Sequence, residues 1–402
     1  MDVPTLGVQR RNFLKGGVVM GAATLFAPAL ASAEEIEDKP DEAFRIIAGP
    51  YLQSAFNNTI AIHWITNKDA NSWVEYGKDA QQLTDKAYGK SMFGLRPDGR
   101  INKVVLKNLE AGQKYYYKIV SSEIKDFKPY KLTYGTLING ETESFVNADV
   151  AKEQISFLML NDIHDRPKSI PHLLSLDKAE EQDFIFFNGD IFDYQTNEQQ
   201  IIDHMLLPID SFAKKIPFVY VRGNHETRGI FRDEFLNYFE NVGKLAFTLG
   251  PVRFVILDTG EDKEDTHPVY ANLVDFDAYR LEQAEWLKTE MQRKEFKKAP
   301  FRVVMMHIPP RFSGDAHGPK HCTEVFEPLL NQGKVDLVLS GHTHTYKVHK
   351  PQQGLNHYPL IIGGGPLEGK RTLTKITANK NLLSAVMVDD SGKEVGRYEV
   401  KK

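Results

Sequence analysis

Five apolar runs, each closing on a cluster of carboxylate, imidazole or amide side chains, constrain this chain more than any other feature. Ile155 to Leu160 leads into Asn161-Asp162-Ile163-His164, and Phe184 to Phe187 into Gly189-Asp190-Ile191-Phe192-Asp193. Phe218 to Val221 leads into Arg222-Gly223-Asn224-His225-Glu226. Phe301 to Met306 leads into His307-Ile308-Pro309, and Val335 to Leu339 into Ser340-Gly341-His342-Thr343-His344. Runs this apolar fit strands buried on both faces, with helices between them. Residues 279–296 give the clearest helix, with Leu281, Ala284, Leu287 and Met291 at spacings of three and four. Residues 372–400 return to alternating strands. The segment from 152 to 402 therefore reads as a layered α/β domain. Ligands in open α/β sheets bind beyond the carboxyl ends of the strands, so five such ends can converge on one site.

The segment from 44 to 138 has a different rhythm. Short alternating stretches separated by Gly77, Pro97-Asp98-Gly99 and Ala111-Gly112 predict a small all-β sandwich. Ile60, Ile62 and Trp64 share one face there, which leaves His63 on the opposite, expectedly exposed face. Residues 138–152 are polar and read as a linker. Two domains suit a chain of 402 residues.

Residues 1–33 read as a cleaved leader. Gln9-Arg10-Arg11-Asn12-Phe13-Leu14-Lys15 precedes an apolar, Gly- and Ala-rich run that ends in Ala31-Ser32-Ala33. This resembles a twin-arginine signal, and the run is short for a membrane span. The expectations are passage through the twin-arginine export machinery, a periplasmic or secreted location, and no stable span after cleavage. The formal charge of −4 gives no basic excess, so no nucleic-acid partner is expected. Cys322 is the only cysteine, so it has no internal partner and is expected to be a buried apolar residue.

The strand-end residues are those of divalent-metal sites. Residues two apart on extended backbone share a face, which pairs Asp162 with His164 and His342 with His344. Glycines 189, 223 and 341 are expected where the backbone turns sharply. His317 falls in, and His321 just after, a Gly- and Pro-containing stretch, residues 309–319, read as a solvated loop. Each motif alone is commonplace. Their joint occurrence at successive strand ends points to one metal centre.

Asp-x-His, Gly-Asp-x-x-Asp, Gly-Asn-His-Glu, a lone His and Gly-His-x-His together resemble the signature of calcineurin-like metallophosphoesterases. The resemblance covers about residues 155–350. The preceding domain, from Gly49-Pro50-Tyr51-Leu52-Gln53 to the aromatic strand at Tyr115-Tyr116-Tyr117, resembles the fibronectin-type-III-like N-terminal domain of purple acid phosphatases. The resemblance implies a four-layer α/β/β/α sandwich behind that β domain. It assigns one ion to Asp162, His164, Asp190 and His344, and a second to Asp190, Asn224, His307 and His342, with Asp190 bridging. The ions would be Fe, Zn or Mn. His225 would be a general acid facing a small phosphate-ester substrate. Arg222 would contact phosphate, and Asp193 would orient His225. Purple acid phosphatases carry a metal-binding Tyr where this chain has Asp193, and Tyr194 has the wrong spacing to replace it. The implied function is phosphate-ester hydrolysis by a metal-bridging hydroxide. A phosphodiesterase or nucleotidase on the same site, or a metal-binding surface protein without catalysis, are the alternatives.

Overall fold

The computed structural model describes residues 42–240 and 243–402. The leader expected at residues 1–33 lies outside the described residues. Two mixed sheets stack face to face. The first has nine strands, in the order Glu394–Lys401, Leu382–Asp389, Thr372–Asn379, Gln154–Leu160, Phe184–Asn188, Phe218–Val221, Ile46–Gln53, Ile60–Thr66 and Ile101–Leu106. The second has six, in the order Leu245–Leu249, Val252–Leu257, Phe301–Met306, Leu337–Ser340, Leu360–Ile362 and Lys347–His349. At the centre of each sheet the neighbours run parallel, so their carboxyl ends point the same way.

The apolar runs are continuous because both faces of each central strand are covered. In Gln154–Leu160, Phe157 and Met159 join the core between the sheets, with Phe184, Phe186, Phe254 and Val303. Leu158 and Leu160 face the other way, against Ile170, Met205 and Phe212 of the helical layer. The outer face of the second sheet is covered by the helices Phe276–Gln292 and His317–Gln332, through Leu287, Phe326 and Leu330. The layers are thus helix, sheet, sheet, helix, as the resemblance implies. Burying each such side chain contributes ~1.5–3 kcal/mol.

The helix expected from residue 279 starts earlier, because the Asp265 carboxylate accepts the N–H groups of Phe276 and Asp277, both at 2.9 Å. Leu281 leaves the expected apolar stripe and is 53% exposed, while Arg280 and Gln283 are buried in their own hydrogen bonds. Cys322 is buried and free, as expected, and burial pushes its thiol up to about 11. Among the described residues, no helix is long and apolar enough to cross a membrane.

The N-terminal β segment adds a five-stranded sheet. Asp85–Tyr88, Ala70–Gly77, Lys114–Lys128 and Lys131–Asn139 follow one another, and Glu143–Val146 also pairs with Lys114–Lys128. Part of the expected linker is therefore a strand. This sheet packs on Ile46–Gln53, Ile60–Thr66 and Ile101–Leu106 through Leu52, Ile62, Trp64, Val74 and Tyr117. Those three strands also extend the nine-stranded sheet, with Gln53 beside Phe218. The opposite face of Ile60–Thr66 is therefore not solvent. His63, expected to be exposed, is 1% exposed, stacks on Tyr51 at 5.2 Å and lies 3.3 Å from Glu240.

Candidate metal centre

The carboxyl ends of the central strands meet along one edge, and the chain turns there in a strained way. Asp162, His164, Asp190, His342 and His344 all take positive φ, between +50° and +71°. That region costs a non-glycine residue about 1–3 kcal/mol, and it persists where surrounding bonds enforce it. Asp162 N–H donates to Gly189 O and His164 N–H to Asp190 O, both at 3.0 Å. Gly189 is at φ +78°, as a sharp turn requires. Gly223 and Gly341 serve close approach instead. A Cβ at Gly223 would lie 2.1 Å from Asp190 Oδ1, and one at Gly341 2.5 Å from Asp162 Oδ2.

The structure draws the seven expected ligands into two clusters. In the first, His164 Nε2 lies 2.9 Å from His344 Nε2, and Asp162 Oδ1 lies 3.2 Å from His344 Nε2. Asp190 Oδ2 completes it, 3.6 Å from His164 Nε2. In the second, the same Asp190 Oδ2 lies 3.2 Å from His307 Nε2, and His342 stands close by. His342 Nδ1 meets Asn224 Oδ1 at 2.9 Å. Asp190 belongs to both clusters.

The donor set fits metal ions. Asp162 and Asp190 are buried, and among the described residues their ion pairs are with imidazoles alone. Buried carboxylates without a permanent cation are costly unless paired or metal-bound. Burial pulls the His307 imidazole towards neutrality, yet Asp190 and Asp162 outweigh it and raise its pKa to about 10. His164 is raised to about 9 against burial, by its contact with Asp162 and the charge of Asp190. Burial and the charge of His307 lower His342 to about 4. Among the described residues, His307 Nε2 and Asp162 Oδ1 have no hydrogen-bond partner beyond the ion-pair contacts at 3.2 Å given above. The far nitrogens of two rings are fixed: His307 Nδ1 on Asn188 O at 2.7 Å, and His164 Nδ1 on Asp193 Oδ1 at 2.8 Å. Such outer bonds aim Nε2 at an ion.

Asp193 meets His225 through its backbone rather than its side chain. Its carboxylate reaches His164, and its backbone carbonyl accepts from His225 Nδ1 at 2.7 Å. The His164 ring stands edge-on to His225, 4.5 Å between centroids, and so lies within reach of the carboxylate. Arg222 is held in an ion pair. Its Nε and Nη2 both donate to the buried Asp258 carboxylate, at 2.8 and 2.7 Å. Tyr194 is 56% exposed. His317 and His321 open a helix rather than sitting on a loop, and both contact Asp277, at 2.8 and 3.1 Å.

Two supporting residues escape the motif reading. Arg228 Nη1 lies 3.1 Å from His225 Nε2, and Glu261 clamps the guanidinium through Nε at 2.7 Å and Nη2 at 2.9 Å. Glu261 follows Phe254 to Leu257, a sixth apolar run with the polar end Asp258-Thr259-Gly260-Glu261-Asp262. Applying the strand-end argument to that run would have found it.

Two packed mixed sheets with carboxylates and imidazoles gathered at their strand ends define a metallophosphoesterase. Residues 155–346 match the family model described as Calcineurin-like phosphoesterase, and residues 50–133 match Purple acid Phosphatase, N-terminal domain. The chain thus joins a purple acid phosphatase N-terminal domain to a calcineurin-like metallophosphoesterase domain. Purple acid phosphatase 18 of Arabidopsis thaliana is 24% identical over 366 residues, 82% of this chain and 74% of its own. Purple acid phosphatase 21 of the same plant is 26% identical over 321 residues, covering 76% and 68%. A purple acid phosphatase from yellow lupin seeds shares the fold, with a TM-score of 0.69 at 18% identity over 88% of this chain and 74% of its own.

Proposed function

We propose that this chain hydrolyses phosphate esters, with phosphomonoesters as its substrates, through two metal ions that share Asp190. The observation that carries the reading is the Asp190 carboxylate, buried and common to both ligand clusters. One ion is assigned to Asp162, His164, Asp190 and His344, the other to Asp190, Asn224, His307 and His342. When bound, such ions supply Lewis acidity towards phosphoryl oxygens and a water nucleophile at neutral pH. Fe, Zn and Mn all suit this donor set.

His225 is the general acid in this reading. Its Nδ1–H is held by the Asp193 carbonyl, which leaves Nε2, beside Arg228 Nη1, as the nitrogen that can meet substrate. From Nε2 it passes a proton to the leaving alkoxide oxygen. Asp193 positions both His225 and His164. Because Asp193 stands where purple acid phosphatases carry a metal-binding tyrosine, the protein should lack an iron-tyrosinate absorption band.

The sequence of the leader at residues 1–33 supports twin-arginine export to the periplasm or beyond. Replacing Arg10 and Arg11 by Lys should leave the protein in the cytoplasmic fraction. Residues 44–138 and 152–402 are taken as the two domains. The test of function is a screen of p-nitrophenyl phosphate against bis(p-nitrophenyl) phosphate with the metal-replete protein. Faster monoester hydrolysis is expected. Hydrolysis of neither would overturn the reading, and preference for the diester would replace it with a phosphodiesterase.

A further inference from the structure

We propose that Arg228, rather than Arg222, presents the guanidinium that binds the substrate phosphoryl group. Arg222 spends Nε and Nη2 on the buried Asp258 carboxylate, whose Oδ2 also lies 3.4 Å from the Tyr279 hydroxyl. Arg228 is clamped through the same two nitrogens, but its remaining edge meets His225. Nε and Nη2 donate to the two oxygens of Glu261, and Nη2 also reaches Asp262 Oδ1 at 3.2 Å. Glu261 is fully buried and is held in turn by the Thr227 hydroxyl at 3.0 Å. A guanidinium carries five N–H donors. The clamp occupies those of Nε and Nη2, and Nη1 is left turned towards His225. Its partner there is His225 Nε2 at 3.1 Å.

A phosphoryl oxygen is a stronger acceptor for that edge, because the hydrogen bond becomes charge-assisted on both sides. Taking it up also frees His225 Nε2 to take a proton from solvent and pass it to the leaving oxygen. The cluster is formally neutral, so Nη1 draws a phosphoryl oxygen through its directed N–H groups rather than through excess charge. Glu261 and Asp262 are offset by Arg228 itself and by Lys263, which lies 2.7 Å from Asp262. The clamp fixes the side chain before substrate arrives, so little rotamer freedom is lost on binding.

This inference rests on the phosphate-ester reading. The test compares wild type, Arg228→Met and Arg228→Lys for competitive inhibition by inorganic phosphate, KM for p-nitrophenyl phosphate, and bound metal per chain. Arg228→Met should raise the phosphate inhibition constant and KM about tenfold or more while keeping wild-type metal content. Arg228→Lys should recover part of the loss, since it restores charge without the fork. Unchanged phosphate inhibition in metal-replete Arg228→Met would overturn the inference. So would metal loss in both variants, which would make Arg228 a support of the site. Failure of phosphate to inhibit wild type would instead remove the functional reading beneath it.

Discussion

Glu226 holds the peptide that carries Asp190. Its fully buried carboxylate accepts the N–H groups of Asp190 at 2.8 Å, Ile191 at 2.7 Å and Phe192 at 3.2 Å. Gly223 N–H at 2.6 Å and the Tyr220 hydroxyl at 2.7 Å complete its shell. One side chain thus ties the turn bearing the shared carboxylate to the turn bearing Asn224 and His225.

Glu226→Gln should break this tie. An amide offers a single acceptor oxygen, and its NH₂ would face N–H donors. Leaving such groups unmatched costs about 1–3 kcal/mol in a buried site. Outer partners of this kind support metal affinity by ~10–100-fold. Urea unfolding and competition with a chelator check both effects. Wild-type metal retention in the variant would exclude the role.

Gly223→Ala should displace Asp190 directly. The added methyl would meet Asp190 Oδ1 at 2.1 Å and Asp190 N at 2.6 Å, and backbone cannot yield as a flexible side-chain tip can. A shift of about 1 Å in a positioned group costs on the order of 100-fold in rate. Turnover should fall by at least that much, together with bound metal. Elemental analysis and steady-state kinetics on the same preparation read both.

The expected ligands were legible because each sits in a local motif directly after an apolar run. Asp162 and His164, or His342 and His344, need only neighbouring residues to be recognised. What is non-local was not legible. Arg228 reaches His225 only because Glu261, on the other sheet, clamps it. Asp193 turns its carboxylate to His164 because that ring stands beside His225, which the order of residues does not reveal. His63 looked exposed because alternation reports one buried face. Its second face is closed by the parallel pairing of Ile46–Gln53 with Phe218–Val221 and by Glu240, 177 residues away in the chain. The helical layers were legible in outline, but Leu281 shows that spacing alone does not choose which residue meets the core.

His225→Ala should separate proton transfer from metal binding. The ring is held by the Asp193 carbonyl and Arg228, and its own side chain is in neither ligand cluster assigned to the ions. Metal content should match wild type, and kcat should fall ~10²–10⁴-fold. Loss of the ions would place His225 among the ligands.

The contact between the β domain and the α/β domain should respond to acid. Glu240 lies between His63 and Lys103. Burial favours its neutral form, but the bond to His63 and the ion pair with Lys103 outweigh this and lower its pKa to about 2. A depressed carboxyl pKa stabilises the fold above the ordinary value of 4.5, and that contribution fades as pH falls towards 2. Lys103→Met should therefore cost on the order of 1 kcal/mol at pH 7. The difference from wild type should narrow below pH 4.5. Urea midpoints across this range test it, and a gap that stays constant would exclude the linkage.

If Asp190 joins two ions into one hydrolytic site, activity must follow metal loading. The most direct measurement reloads chelated protein with metal in steps and follows phosphate release from p-nitrophenyl phosphate against bound metal, for wild type and Asp190→Asn. Wild type should be inactive without metal and reach full rate at two ions per chain, and Asp190→Asn should bind poorly and stay nearly inactive. Full activity in metal-free wild type, or in Asp190→Asn holding both ions, would contradict the account.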